Sequence, residues 1–569
     1  MRSDQGRAKE SVELHLADYG GIPDTGEDTG PAMQRAIEAA SQINGAVVLV
    51  CEPGQYDFYA ASAIRKKYYI SNTASEVENP NPEKTIGIYV KGLQDFVLDG
   101  GGSLFMFHGK HTMLVIDESQ QIEIRNLHMD YAEPTVTEMT IEQAGPSYLD
   151  IRVHGDSRYE LQDGKLFWTG EGWRFHEGPM QVCDPVRNTT WRIDNLIEQA
   201  VESEELEPGR IRLHYDHAPA VSAGWILQAR DGIRDQVGAF IHRSRRVRLD
   251  NVGVHFMHGL GIVGQSSEDI SFNRLELAPR AVTGRTVASF ADFVHLSGCK
   301  GKISVTNSSF AGAHDDVINV HGIHLAIVGR PSNNQLVVRF MHHQTYGFAA
   351  FDPGDEVEFV RARSLIAYAS SKVTASELIS PREMLLTLAE PVPEGIEEGD
   401  VLENVTWTPE VEITDNYFVR IPTRGVLVTT RRKVLIARNV FDRMQMSAIL
   451  VANDAASWYE SGRVQDLTIQ GNRFIECGSS GQAVIAITPE NEEIDENSPV
   501  HSGIRIVENR FELTDQRLLD AKSTRDLTVS DNEVILLSVS TKPEDNKNGM
   551  RLIACTEVTP SLNRFNDLL

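Results

Sequence analysis

One phrase recurs along this chain. Two apolar residues separated by one other lead into a short turn, then an asparagine and, two residues on, another apolar side chain. It reads Ile270-Ser271-Phe272-Asn273-Arg274-Leu275, then Ile413–Phe418, Leu435–Phe441, Leu467–Phe474, Ile504–Phe511, Leu527–Val534 and Leu562–Phe565, with looser copies at Asn126, Asn251 and Asn307. From Asn251 onward successive asparagines stand 22, 34, 23, 33, 37, 23 and 31 residues apart, one long gap aside. A period in this range is the mark of a solenoid. Between the asparagines lie only short apolar alternations, whereas helical repeats need long segments of 3.6-residue period. The leucine pattern of a leucine-rich repeat is also missing. The expected fold is therefore mainly β, a parallel β-helix whose coils turn at the asparagines.

The N-terminal segment fits this reading. Asp28 or Thr29 can cap a helix that puts Met33, Ala36, Ile37 and Ala40 on one face, and Val47–Val50 reads as a buried strand. One helix followed by strands resembles the cap of pectate-lyase-like right-handed β-helices, which closes the first coil against edge pairing. Two breaks in the period locate insertions: 125 residues from Asn126 to Asn251, and 109 from Asn307 to Asn416. Both contain strand-like runs between turns, Tyr148–Val153 and Arg210–Tyr215 in the first, Gln335–Phe340, Glu356–Val360 and Met384–Leu388 in the second. Two small β-barrel-like domains are expected, walling a cleft on the solenoid. The chain divides accordingly into a cap and first coils (1–130), an inserted domain (131–232), central coils (233–322), a second inserted domain (323–408) and C-terminal coils (409–569). Exposed barrel surfaces that could pair suggest a homodimer.

Composition limits the partners. With 54 basic and 81 acidic residues the formal charge is -27, which repels nucleic-acid phosphates and anionic membrane surfaces and leaves neutral substrates easiest to accept. The five cysteines are scattered without a CxxC pair, so neither a disulfide framework nor a zinc site is indicated. No window reaches the roughly 18 apolar residues of a membrane span. The opening Met1–Glu10 has no apolar h-region, which leaves two expectations: a cytoplasmic protein, or an exported one whose signal has been removed.

The chemistry is expected in Asp292–Leu296 and Ala313–Gly322, where three carboxylates and two histidines sit among apolar runs. Aligning Val294/Leu296, Ile318/Val320, Val426/Val428 and Ile449/Val451 as inward pairs puts Asp292, Asp316, Arg424 and Ser447 in one column. Adjacent coils stack at about 4.8 Å, so Asp292 and Asp316 should stand side by side with Arg424 next to them. Two carboxylates that close share a proton unless a cation compensates, and such coupling suits acid and base work. A solvated aspartate ladder or a calcium stack would carry the same pattern. Asp315 points to the other face of a regular strand, so its convergence requires a bend, for which Gly312-Ala313-His314 is the candidate turn. His295 and His321, one strand step away, are candidates to hold sugar hydroxyls or to orient a carboxylate, and His314 could be the polar tip of the turn. Arg424 and Arg431 bring positive charge beside the aspartates. Asp454, Trp458 and Glu460 offer the ring face and acceptors a sugar needs. Trp458 could equally plug the core.

Taken together, Ala291–His295, His314–Gly322, Thr423–Arg432 and Ser457–Gly462 resemble glycoside hydrolase family 110, with four motifs in the same order along essentially the whole chain. The resemblance implies an exo-acting α-1,3-galactosidase that releases terminal galactose from blood group B-type or linear α-galactosyl glycans. It further implies inversion without a metal or other cofactor, and catalytic aspartates at Asp292, Asp315 and Asp316. Inversion places acid and base about 6.5 to 9.5 Å apart. The stacked pair is too close for that division, so Asp315 is expected as acid and Asp292 with Asp316 as partners on the water. Two rivals use the same scaffold: a β-helical polysaccharide lyase or polygalacturonase-like hydrolase, and a tailspike-like or adhesin module that binds glycan without turnover.

Overall fold

The computed structural model describes residues 11–478, 481–514, 517–537, 549–561 and 563–567. Residues 1–10, on which the reading of an absent signal rests, and Leu562 of the last repeat copy lie outside them. The helix is Gly30–Ser41; Asp28 Oδ1 accepts the Gly30 N–H at 3.0 Å, and Met33, Ala36, Ile37 and Ala40 are all buried.

Most of the chain forms parallel ladders that successive segments revisit in turn. One runs through Glu268–Asn273, Lys300–Thr306, Glu410–Thr414, Lys433–Ala437, Asp466–Gln470 and His501–Val507. A second runs through Ser309–Ala311, Tyr417–Val419, Val440–Asp442, Arg473–Ile475 and Arg510–Leu513. A third, which carries the site, runs through Ala239–His242, Ile262–Gln265, Val294–Ser297, Ile318–Val320, Val426–Val428 and Ile449–Val451.

The repeat asparagines join the coils. Asn416, Asn439, Asn472, Asn509, Asn532 and Asn563 stack so that each amide donates to the carbonyl oxygen of the next at 2.9–3.0 Å. Their other amide hydrogens go to main-chain carbonyls, Asn472 to Ile436 O for example. One residue type thus satisfies the orphan groups of a buried turn, coil after coil. Phe310, Phe418, Phe441, Phe474 and Phe511 stack beside it with centroids 4.7–5.1 Å apart. The looser copies occupy another position. Asn126, Asn251 and Asn307 sit one residue earlier, at φ 53–56°, where a short polar side chain tolerates the left-handed turn. In the coil of Asn307 a serine takes the ladder position: Ser308 donates its N–H to Asn416 Oδ1 and accepts from Leu275 N–H.

The two period breaks hold antiparallel sheets. In the first, seven strands run in the order Thr189–Ile193, Met180–Asp184, Ile226–Ala229, Thr137–Ala144, Tyr148–Val153, Arg210–His214, Glu202–Glu207. In the second, the strand that leaves the site at Ile318 continues to Ser332 and enters a closed ring with Gln335–Arg339, Glu383–Leu388, Ala367–Ser380, Glu356–Val360 and Val401–Asn404. Each has its own apolar core, separate from that of the coils. Among the described residues no helix is long and apolar enough to cross a membrane.

Candidate active site

The third ladder has the register expected of it. Val294 pairs with Ile318 and Leu296 with Val320, Ile318 pairs with Val426, and Val426 with Ile449. Asp292, Asp316 and Arg424 therefore follow one another on three adjacent coils. They open into a solvent-connected cleft of about 700 Å³, also lined by Asp315, Arg234, His295, Asn319, Asn72, Asp454, Trp458, Glu460 and Glu490. Arg424 clamps Asp316 from the next coil, Nε to Oδ1 and Nη2 to Oδ2 both at 2.9 Å, and adds its own N–H at 3.1 Å.

Asp315 reaches the same cleft because the chain bends before it. Gly312 has φ +84°, and a Cβ there would stand 2.2 Å from the carbonyl oxygen of Thr286, so glycine is required. Two guanidiniums meet the Asp315 carboxylate, Arg192 at Oδ1 and Arg234 at Oδ2, each at 3.0 Å. Arg192 comes from the first inserted sheet and also donates to the His314 carbonyl at 3.2 Å. His314 is not a polar tip: it is buried, and Arg230 donates to its Nδ1 at 3.2 Å.

The three aspartates differ in charge. Burial, reinforced by Asp315, pushes Asp292 up to about 7. Burial also raises Asp316, which reaches about 6 despite Arg424. For Asp315 burial acts the same way, but Arg234 and Arg192 outweigh it and hold the carboxyl below its ordinary range.

Behind Asp292 lies a run of hydrogen bonds. Asp292 Oδ2 is 3.0 Å from His295 Nδ1, His295 Nε2 is 3.0 Å from His321 Nε2, and His321 Nδ1 is 2.7 Å from the Gly322 carbonyl oxygen. Glu460 Oε1 lies 3.5 Å from His321 Nε2 and accepts from the Asn72 amide at 2.9 Å; Asn319 reaches both carboxylate oxygens at 3.3 and 3.4 Å. His295, His321 and Glu460 each offer one ligand atom within 4.8 Å of the others, a spacing that would also admit a small cation.

The remaining residues divide. Trp458 is 42% exposed on the cleft wall, not plugged into the core, and stacks on His342 with centroids 4.3 Å apart. Asp454 lines the cleft but spends its carboxylate on its own loop, accepting the N–H groups of Ala456, Ser457, Trp458 and Tyr459. His321 stands behind His295 and does not line the cleft. Arg431 departs furthest from expectation. It lies outside the lining, with Nη1 and Nη2 on Glu358 at 3.0 Å and Nη2 on Glu403 at 2.9 Å. Arg192, Arg234, Asn72, Asn319 and Glu490 were not singled out in the sequence. Of these, Arg234 and Glu490 sit in charge-dense stretches, Arg230–Asp235 and Glu490–Glu496, and Asn319 falls within the Ala313–Gly322 run, whereas nothing local marks Arg192 or Asn72.

Comparison with known proteins adds lineage to the geometry. Models of GLAA-B beta-barrel domain I and domain II match residues 137–227 and 335–402. The chain is 42% identical to an alpha-1,3-galactosidase A of Bacteroides thetaiotaomicron over 548 residues, covering 95% of each chain. It is 38% identical to an alpha-1,3-galactosidase A of Streptomyces avermitilis, covering 94% of this chain and 89% of the relative. An alpha-1,3-galactosidase B of Bacteroides thetaiotaomicron is 34% identical, with 97% and 91% covered.

Proposed function

The chain belongs to the alpha-1,3-galactosidase family, and from that membership we propose that its cleft hydrolyses terminal α-1,3-linked galactose from glycans, with inversion at the anomeric carbon. We read the three ladders as a right-handed parallel β-helix and the inserted sheets as two barrel-like domains dividing the chain at about residues 130, 232, 322 and 408. The observation that carries the mechanism is that Asp292 and Asp316 are one coil apart while Asp315 leaves the stack at the Gly312 bend. Neighbours in the stack serve one water. Asp315, the aspartate set apart, serves the glycosidic oxygen.

In this reading Asp292 and Asp316 draw the proton from the attacking water and Asp315 protonates the departing oxygen. Arg192 and Arg234 together hold the Asp315 carboxyl below its ordinary range, so substrate must draw a guanidinium away before Asp315 can carry a proton. Sugar hydroxyls are suitable acceptors for it. Trp458 supplies the ring face against which the sugar packs. Six carboxyl groups, those of Asp292, Asp315, Asp316, Asp454, Glu460 and Glu490, line the cleft against the lining cations Arg234 and Arg424 and against Arg192 beside Asp315, an acidic balance that disfavours the anionic polymers of a lyase or polygalacturonase.

One observation favours a second division of labour. The hydrogen bonds behind Asp292 leave it protonated, which would make it the acid and Asp315 the base. Asp315→Asn, assayed on aryl α-galactosides of graded leaving-group acidity, separates the two. An acid is dispensable for a good leaving group, so activity is expected to survive on the most acidic phenol and to vanish on natural glycans. Equal loss on every substrate assigns the base role instead. Free galactose released only from the α-1,3 members of a linkage panel, appearing first by NMR as the β anomer, tests specificity and inversion.

A further inference from the structure

Two buried histidines stand end to end behind Asp292, and the second of them is not among the residues that line the cleft. Their tautomers follow from the fixed end of the chain. The Gly322 carbonyl can only accept, so His321 Nδ1 carries a proton and His321 Nε2 presents a lone pair. His295 Nε2 must then donate to it, which leaves His295 Nδ1 as an acceptor, and the proton in that last bond belongs to Asp292. Burial keeps both imidazoles neutral, His295 at about 4 and His321 below its ordinary value. Glu460, aligned by Asn72 and Asn319, is the negative charge beside the far histidine.

We propose that His295 and His321 are positioning residues forming a proton relay from Asp292 to the Glu460 end of the cleft. The proposal rests on the reading of Asp292 as a partner on the water. As the water's proton arrives, the O–H proton of Asp292 passes to His295 Nδ1 and the Nε2 proton of His295 passes to His321 Nε2. Asp292 is thereby free to accept, His295 ends neutral with its proton on Nδ1, and His321 ends as an imidazolium next to the Glu460 carboxylate. One charge moves inward and no proton is gained or lost. The relay lets a carboxyl that burial keeps protonated still act as a base. The other charges facing Asp292 are Asp315 with Arg234, and Asp316 with Arg424; none of them lies on the His321 side.

The wild-type enzyme supplies the first test. With ¹⁵N-labelled histidine, His321 is expected protonated at Nδ1 and His295 at Nε2, and kcat in mixtures of light and heavy water is expected to curve with deuterium fraction because more than one proton moves. Reversed tautomers or a straight line would overturn the relay. In His321→Gln, shown folded by an unchanged melting curve, the acid limb of the kcat/KM profile is expected to climb by roughly one pH unit as Asp292 must ionise unaided. An unmoved limb would overturn it too. So would activity abolished by a chelator and restored by zinc, which would assign His295, His321 and Glu460 to a cation. Wild-type activity in Asp292→Asn would defeat the underlying assignment instead, leaving the tautomers as they are.

Discussion

Asp292 illustrates at the residue scale how a site is kept against the interest of the fold. Its carboxyl is raised to about 7, so the folded state binds its proton more tightly than the unfolded chain does. The stability it contributes is complete below pH ~4 and drains away as pH rises through 7. Asparagine keeps the shape without the charge. Asp292→Asn is therefore expected to be inactive yet to melt higher than wild type at pH 8, the gap closing towards pH 4; differential scanning calorimetry across that range measures it. Arg192 makes the complementary case. Removing its charge should relax the depression of Asp315, so Arg192→Ala is expected to shift the alkaline limb of the kcat/KM profile to higher pH if Asp315 is the acid, with peak activity reduced about tenfold for one lost charged hydrogen bond.

Elements explain what could be read in advance. Strands of period two leave no freedom of register once the apolar face is buried, which is why Val294, Ile318, Val426 and Ile449 lined up from spacing alone, bringing Asp292, Asp316 and Arg424 with them. Arg192 and Asn72 were invisible for the opposite reason. They reach the cleft from segments far away in sequence, Arg192 on an inserted sheet and Asn72 in the loop between Ile64–Lys67 and Glu83–Lys91, and no periodicity encodes how either packs. Arg431 was misplaced because strand geometry fixes a backbone position but not which acid a long side chain will find. The asparagine repeat mixed two signals, the ladder and the left-handed turn before it, and only structure separates them. Asn472→Ala removes the acceptor for the Asn439 main-chain and side-chain N–H groups and the donor to Ile436 O, and should cost about 3 kcal/mol. Asn251→Ala, at the exposed turn position, should cost only about 1 kcal/mol for its positive φ. Denaturant midpoints of the two variants rank them.

The whole molecule depends on inserted sheets being held to the coils, since they supply Arg192 on one side of the cleft and His342 behind Trp458 on the other. Arg431 is the clearest fastening on the second side. It leaves the coil next to the site strand Val426–Val428 and inserts between Glu358 and Glu403, on two neighbouring strands of the closed ring, where Glu403 is almost wholly buried. Deleting one partner of a buried pair strands the other charge at a cost of about 3–5 kcal/mol, whereas deleting both is far milder. Arg431→Met is accordingly expected to lower the melting temperature markedly, and adding Glu403→Gln and Glu358→Gln should recover much of that loss. Activity should follow the same order, falling in the single variant as the wall carrying His342 loosens and returning in the triple. If Arg431 instead held the sugar, the outcome would be reversed: the single variant would melt normally with a raised KM, and neutralising the two glutamates would restore nothing.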